Sequence, residues 1–166
     1  MLDLSEVSLK ELLEAGAHFG HQTRRWNPKM GQYIYGVRGG IHIIDLTKTA
    51  EQLQKATQFV EQVTANGGQV LFVGTKRQAK GIIKQAAESI SMPFVCERWL
   101  GGMLTNFKTI KIQVNRLKEL KAKHENGDLA GYNKKEQSVL RDEMNRLEQI
   151  FGGIINMDNP PSAMFV

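Results

Sequence analysis

One cysteine, Cys96, is present among 166 residues. An internal disulfide is therefore excluded, and without a Cys-x-x-Cys pair so is a thiolate zinc site. A reducing, cytosolic setting is expected. No apolar run approaches the roughly 18 residues needed to span a bilayer. The opening Met1-Leu2-Asp3-Leu4-Ser5-Glu6 carries neither the positive nor the apolar block of a signal peptide. A soluble intracellular protein with no membrane partner is expected. Nucleotide fingerprints are missing too: neither Gly-x-x-x-x-Gly-Lys-Ser/Thr nor Gly-x-Gly-x-x-Gly occurs. Gly-x-Ser-x-Gly is absent, and no Ser–His–Asp-like set or credible nucleophile can be assembled.

Acid is what three long windows lack. Between Ala15 and Ile44 there is none, while Arg24, Arg25, Lys29 and Arg38 are present. From Gln62 to Ala87 the charges are Lys76, Arg77, Lys80 and Lys84; from Arg98 to Lys118 they are Arg98, Lys108, Lys111, Arg116 and Lys118. Thirteen of the 22 basic residues thus lie in windows holding none of the 17 acids, a sharper pattern than the net charge of +5 conveys. A solvated surface ordinarily mixes signs. Segregation of this kind points to an electropositive surface that faces phosphate.

Against these absences stands ample core material. The residues are 41% hydrophobic, with seven Phe, three Tyr and two Trp, and the length fits one domain. Ser8-Leu9-Lys10-Glu11 is a capping-box pattern, and Leu9, Leu12 and Leu13 follow on one helical face. Residues 17–31 have no apolar period and read as a long loop. Gln32–Arg38 and Ile41–Leu46 read as strands joined at Gly39-Gly40. A helix is expected over Thr47–Ala65, with Leu53, Ala56, Val60 and Val63 recurring at helical spacing, stopped by Asn66-Gly67-Gly68. Val70–Gly74 is a continuous apolar run of the kind a parallel sheet buries on both faces. A second helix is expected from about Lys76 to Ile90, with Ile82, Ile83, Ala86 and Ala87 inward, and then a short strand at Phe94–Cys96. Strands alternating with helices argue for βαβ units.

From Asn106 to Phe151 that rhythm breaks. Phe107, Ile110, Val114, Leu117 and Leu120 form one stripe; Leu140, Met144, Leu147 and Phe151 form another; a turn lies between. Two readings fit: an antiparallel helical hairpin projecting from the sheet domain, or two helices lying on the sheet. Ala163–Val166 looks like the opening of a further buried strand, so the natural protein is expected to continue.

Four places could carry chemistry. Gly74-Thr75-Lys76-Arg77 sits where a strand turns into a helix, so it could hold phosphate through amides and cations, or Thr75 could simply cap the helix. His18 and His21 form a His-x-x-His pair without the Glu of a zinc-protease pattern; hydrogen bonding or RNA contact is expected there, and no metal. Arg24-Arg25-Trp26-Asn27-Pro28-Lys29 mixes cations with an indole that can stack on bases, or Trp26 could be core with only the cations exposed. Arg98-Trp99-Leu100-Gly101-Gly102-Met103-Leu104-Thr105-Asn106 has paired glycines and, in Thr105 or Asn106, a helix cap. It contains no carboxylate, and Glu97 beside it has no acid–base partner. The residues therefore point to an RNA-binding, non-catalytic protein with no cofactor and no small-molecule substrate. The alternative is a nucleotide- or phosphate-ligand-binding α/β enzyme built on the Val73–Arg77 turn.

Leu12–Met30, Phe72–Ala79, Arg98–Phe107 and Pro161–Val166 together closely resemble, in order, the family of bacterial small-subunit ribosomal protein two. The first stretch and Arg98-Trp99-Leu100-Gly101-Gly102 are the most specific. The resemblance implies an α/β fold: a flavodoxin-like (Rossmann-like) parallel sheet with flanking helices, formed by 1–105 and 152–166, and an inserted, protruding antiparallel helical hairpin at 106–151. It implies a structural constituent of the small ribosomal subunit, in the cytoplasm, bound to small-subunit ribosomal RNA beside neighbouring small-subunit proteins. It also implies docking of ribosomal protein one, which helps bring messenger RNA to the ribosome. The RNA-facing residues it implies are His18, Gln22, Arg24, Arg25, Trp26 and Lys29, joined by Lys76, Arg77, Arg98, Thr105, Asn106 and Lys108.

Overall fold

In the computed structural model, residues 7–166 are described, Leu129 and Ala130 without their side chains. The chain divides into two compact units, Met1–Gln62 and Val63–Val166.

The first unit opens with the expected capping box. Ser8 Oγ accepts the Glu11 N–H at 3.2 Å, and the Glu11 carboxylate accepts the Ser8 N–H at 2.9 Å, which starts α1, Leu9–Glu14. The Ser8 N–H and hydroxyl, both donating to the Glu11 carboxylate, hold that carboxyl below its ordinary range. Strands β1 (Phe19–Gln22), β2 (Ile34–Arg38) and β3 (Ile41–Ile44) form an antiparallel sheet in the order β1-β3-β2. Gly39 and Gly40 (φ 58° and 75°) both lie in the left-handed region, as a two-residue hairpin turn requires if it is to follow the twist of its strands.

The segment 17–31 is not a structureless loop. It holds β1, the 3-10 turn Thr23–Arg25 and the start of a second, Pro28–Tyr33. Phe-Gly-His-Gln has no alternation of its own; it becomes a strand because β3 pairs with it, Phe19 against Ile43 and Gln22 against Ile41. The second turn consumes Gln32 and Tyr33, so β2 begins at Ile34. β3 ends where the Asp45 carboxylate accepts the Thr47 and Lys48 N–H groups and opens α2, Leu46–Ala65. None of the residues of the apolar stripe on α2 is buried: Leu53 and Ala56 are exposed, and Val60 and Val63 half-buried. Among the described residues of the first unit, His42 alone is buried.

The second unit has a proper core. β4 (Val70–Val73) is the central strand of a parallel sheet ordered β5-β4-β6, with β5 at Phe94–Val95 and β6 at Ala163–Phe165. Helix α3, Lys80–Ser89, lies between β4 and β5 in sequence. It starts one turn later than expected from Lys76, and its inward side is narrower. Ala87 is buried and Ile83 half-buried, whereas Ile82 is 71% exposed and Ala86 is exposed. The expected strand at Ala163–Val166 exists as β6, but Met164 and Phe165 remain exposed.

Helices α4 (Phe107–Glu125) and α5 (Lys134–Phe151) carry the two apolar stripes. Ile110, Val114, Leu117 and Leu120 of α4 and Leu147 and Phe151 of α5 share one buried cluster with Leu71 of β4 and Val95 of β5. Burial of that order, about 1.5–3 kcal/mol for each large side chain, is what joins helices to sheet. Arg116 forks onto Glu143 across α4 and α5, Nε to Oε1 at 3.0 Å and Nη2 to Oε2 at 3.1 Å. This holds the Glu143 carboxyl below its ordinary range and raises the guanidinium. The second unit is thus α/β, a three-stranded parallel sheet with flanking helices.

Candidate nucleic-acid interface

In the first unit the candidates gather on β1 and the two turns after it. Gln22 ends β1, and its Oε1 accepts the Arg24 Nε–H at 3.1 Å, which restrains one guanidinium of the pair. Arg25 follows in the same 3-10 turn. Asn27 opens the next turn: its Oδ1 accepts the Lys29 N–H at 3.0 Å, with Pro28 preset for the first turn position. Trp26 is not a buried core residue. Its ring centroid lies 4.9 Å from that of His42, while the residue stays 41% exposed. His18 stacks on Phe19 at 4.1 Å, and its buried Nδ1 has no hydrogen-bond partner among the described residues. Arg24, Arg25 and Lys29 are exposed.

The second unit holds the remaining candidates on two loops. Gly74 leaves β4 with its N–H on the Val95 carbonyl, 3.0 Å. A Cβ on Gly74 would fall 2.8 Å from that of Ile83, so the strand end and α3 meet too closely for any side chain. Lys76 and Arg77 lie exposed on the bend that follows. Thr75 does not cap α3: the N-cap position is Ala79, and no side chain caps it. Arg98, Thr105, Asn106 and Lys108 are exposed around the Gly101-Gly102 loop and the first turn of α4. Asn106 occupies the N-cap position without capping through its side chain; its Oδ1 instead accepts the Thr109 hydroxyl at 2.9 Å.

The acid-free windows are not acid-free in space. Lys80 pairs with Glu97, Lys84 with Glu88 at 3.9 Å, Lys111 with Asp158 at 3.3 Å, and Arg116 with Glu143. These four cations are spoken for. The other nine have no carboxylate within 4.0 Å among the described residues, and they include all seven candidate cations: Arg24, Arg25, Lys29, Lys76, Arg77, Arg98 and Lys108. Among the described residues no group of three His, Cys, Asp or Glu is placed to hold a metal ion, and no helix is long and apolar enough to cross a membrane. Sequence reasoning passed over Phe19 and Tyr35, which are 62% and 82% exposed. Aromatic residues flanked by glycine in an acid-free window were the available signal.

A family described as ribosomal protein S2 matches residues 12–166. The small ribosomal subunit protein uS2 of Crocosphaera subtropica is 55% identical over 163 residues, covering 98% of this chain and 61% of that protein. The uS2 protein of Picosynechococcus sp. is 54% identical over 160 residues, covering 96% of this chain and 62% of that protein. The chain therefore spans about three fifths of the length of these relatives. With a match that runs from the end of α1 through β6, the chain belongs to the ribosomal protein S2 family, a family of ribosomal proteins rather than enzymes.

Proposed function

We propose that this chain is a structural, RNA-binding constituent of the small ribosomal subunit, acting in the cytoplasm by charge neutralisation and shape fit rather than turnover. The observation that carries this reading is the set of seven exposed candidate cations with no carboxylate partner among the described residues. Exposed Arg and Lys whose charge no nearby carboxylate neutralises can replace the counterions of a phosphate backbone. Gln22, Trp26, His18, Thr105 and Asn106 supply hydrogen-bonding and stacking groups beside them, as recognition of RNA by shape and exposed bases requires.

The proposal extends to architecture and partners. The sheet elements, 1–105 and 152–166, form a flavodoxin-like body, and 106–151 is an antiparallel hairpin inserted in it; the family resemblance and the shared stripes of α4 and α5 support this. The RNA is small-subunit ribosomal RNA, in keeping with the names of the uS2 relatives. Ribosomal protein one and neighbouring small-subunit proteins are the protein partners.

The test is salt dependence. Affinity for small-subunit ribosomal RNA should fall with salt at a log–log slope of about −0.7 to −0.9 per phosphate contact. The double variant Arg24→Ala/Arg25→Ala should bind more weakly and with a flatter slope. Unchanged affinity and slope would refute the placement of these residues on RNA.

A further inference from the structure

The residue buried in the first unit is an unfavourable one to bury. His42 lies on β3 and is 9% exposed, and its Nδ1 and Nε2 are both buried with no hydrogen-bond partner among the described residues. Unpaired polar atoms in such a place are destabilising, so a leucine of similar size would fit there at less cost. Hydrogen bonding therefore does not account for an imidazole at this position. What the ring does make is an aromatic contact: its centroid lies 4.9 Å from that of Trp26, with the planes tilted by 37°. Two glycines complete the arrangement. A Cβ on Gly20 of β1 would fall 2.9 Å from the His42 carbonyl oxygen and 3.5 Å from the His42 Cβ, so only glycine lets β1 lie this close. A Cβ on Gly31 would stand 3.6 Å from Cζ3 of the indole, so that backbone also rests against the Trp26 ring.

We propose that His42 is a positioning residue for RNA binding: its buried ring holds the Trp26 indole in the orientation in which the exposed remainder of that indole receives a base. Trp26 is an extended residue between two 3-10 turns, with no helix or strand of its own to fix its side chain. His42 stands on the central strand of the sheet, which is paired on both edges and is the most constrained backbone of the unit. A tilted ring pair at this separation is stabilising beyond the area it buries. The indole is thus anchored at one part and 41% exposed over the rest. A side chain ordered in advance loses less freedom when it stacks, and stacking on an exposed base is the contact an indole offers RNA. The imidazole itself touches no nucleotide; it acts through Trp26.

The inference rests on the RNA-binding reading, and the experiment separates the two. The full chain carries Trp99→Phe as the reference, which leaves Trp26 as its one indole. Acrylamide quenching then reports how freely that ring is exposed without RNA, and filter binding to small-subunit ribosomal RNA reports affinity and its salt slope. His42→Leu keeps the size and the burial but not the flat ring, and His42→Phe keeps the ring; circular dichroism checks that each folds. His42→Leu should raise the quenching and lower affinity about two- to ten-fold, the span of one aromatic pair, because the freed indole spends less time in place. Its salt slope should hold, since the cations keep their phosphates. Trp26→Ala/His42→Leu should bind no more weakly than Trp26→Ala alone, the mark of a residue that acts only through the indole. His42→Phe should bind as the reference does. Additive losses in the double variant, or a flattened slope in His42→Leu, overturn the inference and make His42 a general support of the unit. Full affinity in His42→Leu or in Trp26→Ala also overturns it, and leaves the charge-based RNA-binding reading intact. If His42→Leu does not fold, His42→Phe decides: reference affinity upholds the inference and a loss overturns it. A reference protein that binds no RNA overturns both readings.

Discussion

Leu117 offers the most direct test of whether the helices and the parallel sheet share one core. It is fully buried in the cluster that also contains Leu71 and Val95. Leu117→Ala removes three carbons from a site with no solvent access. At about 0.8 kcal/mol for each buried carbon, the transfer part is roughly 2.4 kcal/mol. Incomplete collapse around the void raises the total to about 3–4 kcal/mol, within the span of known Leu→Ala costs. Ile112 is the built-in control, since it lies on the same helix but is 63% exposed; Ile112→Ala should cost less than about 0.5 kcal/mol. Urea titrations followed by far-ultraviolet circular dichroism report both, read as midpoints at constant slope. Equal shifts in the two variants would refute the argument, as would a Leu117→Ala cost below about 1 kcal/mol. Either result would mean that α4 does not bury this face.

Two further perturbations follow from the geometry. Because Arg116 holds the Glu143 carboxyl below its ordinary value of 4.5, the pair's contribution is present above that value and lost as pH falls through the lowered one. Glu143→Gln should therefore narrow the gap between urea midpoints measured at neutral and at acidic pH; an unaltered gap would remove the pair from the account. Gly40→Val forces a branched side chain into a left-handed backbone at φ 75°, which costs about 1–2 kcal/mol. The thermal midpoint should fall, and fall less for Gly40→Asn; equal midpoints would speak against the turn geometry.

The parts legible in the sequence were those fixed by near neighbours. Ser8 and Glu11 cap each other across three residues, Gly39-Gly40 can only turn, and the Ile110–Leu120 stripe repeats within one helix. The parts that were not legible depend on distant residues. β1 is a strand by virtue of Ile41 and Ile43, which lie beyond two turns. α3 begins only at Lys80, and Ile83 closes over Gly74, a contact that apolar spacing does not encode. The charge pattern misled for the same reason: Lys111 finds Asp158 47 positions away, and Arg116 finds Glu143 27 positions away. A stretch without acids says which carboxylates are not local; only the fold says which are near. The seven candidate cations have no carboxylate within 4.0 Å among the described residues, and the exposure of Phe19 and Tyr35 was missed because it cannot be read from alternation alone.

The neighbours of β4 arrive at different times. Phe72 pairs with Phe94, reached after one helix, whereas Val70 pairs with Ala163, reached only after α4 and α5 as well. Contacts between positions so far apart form slowly, because a large loop must close before they give any return. During synthesis, β4 and β5 can zip together early while the opposite edge of β4 stays unpaired and open to other strands. Any delay in producing α4 and α5 therefore lengthens the interval in which the nascent protein is most liable to aggregate.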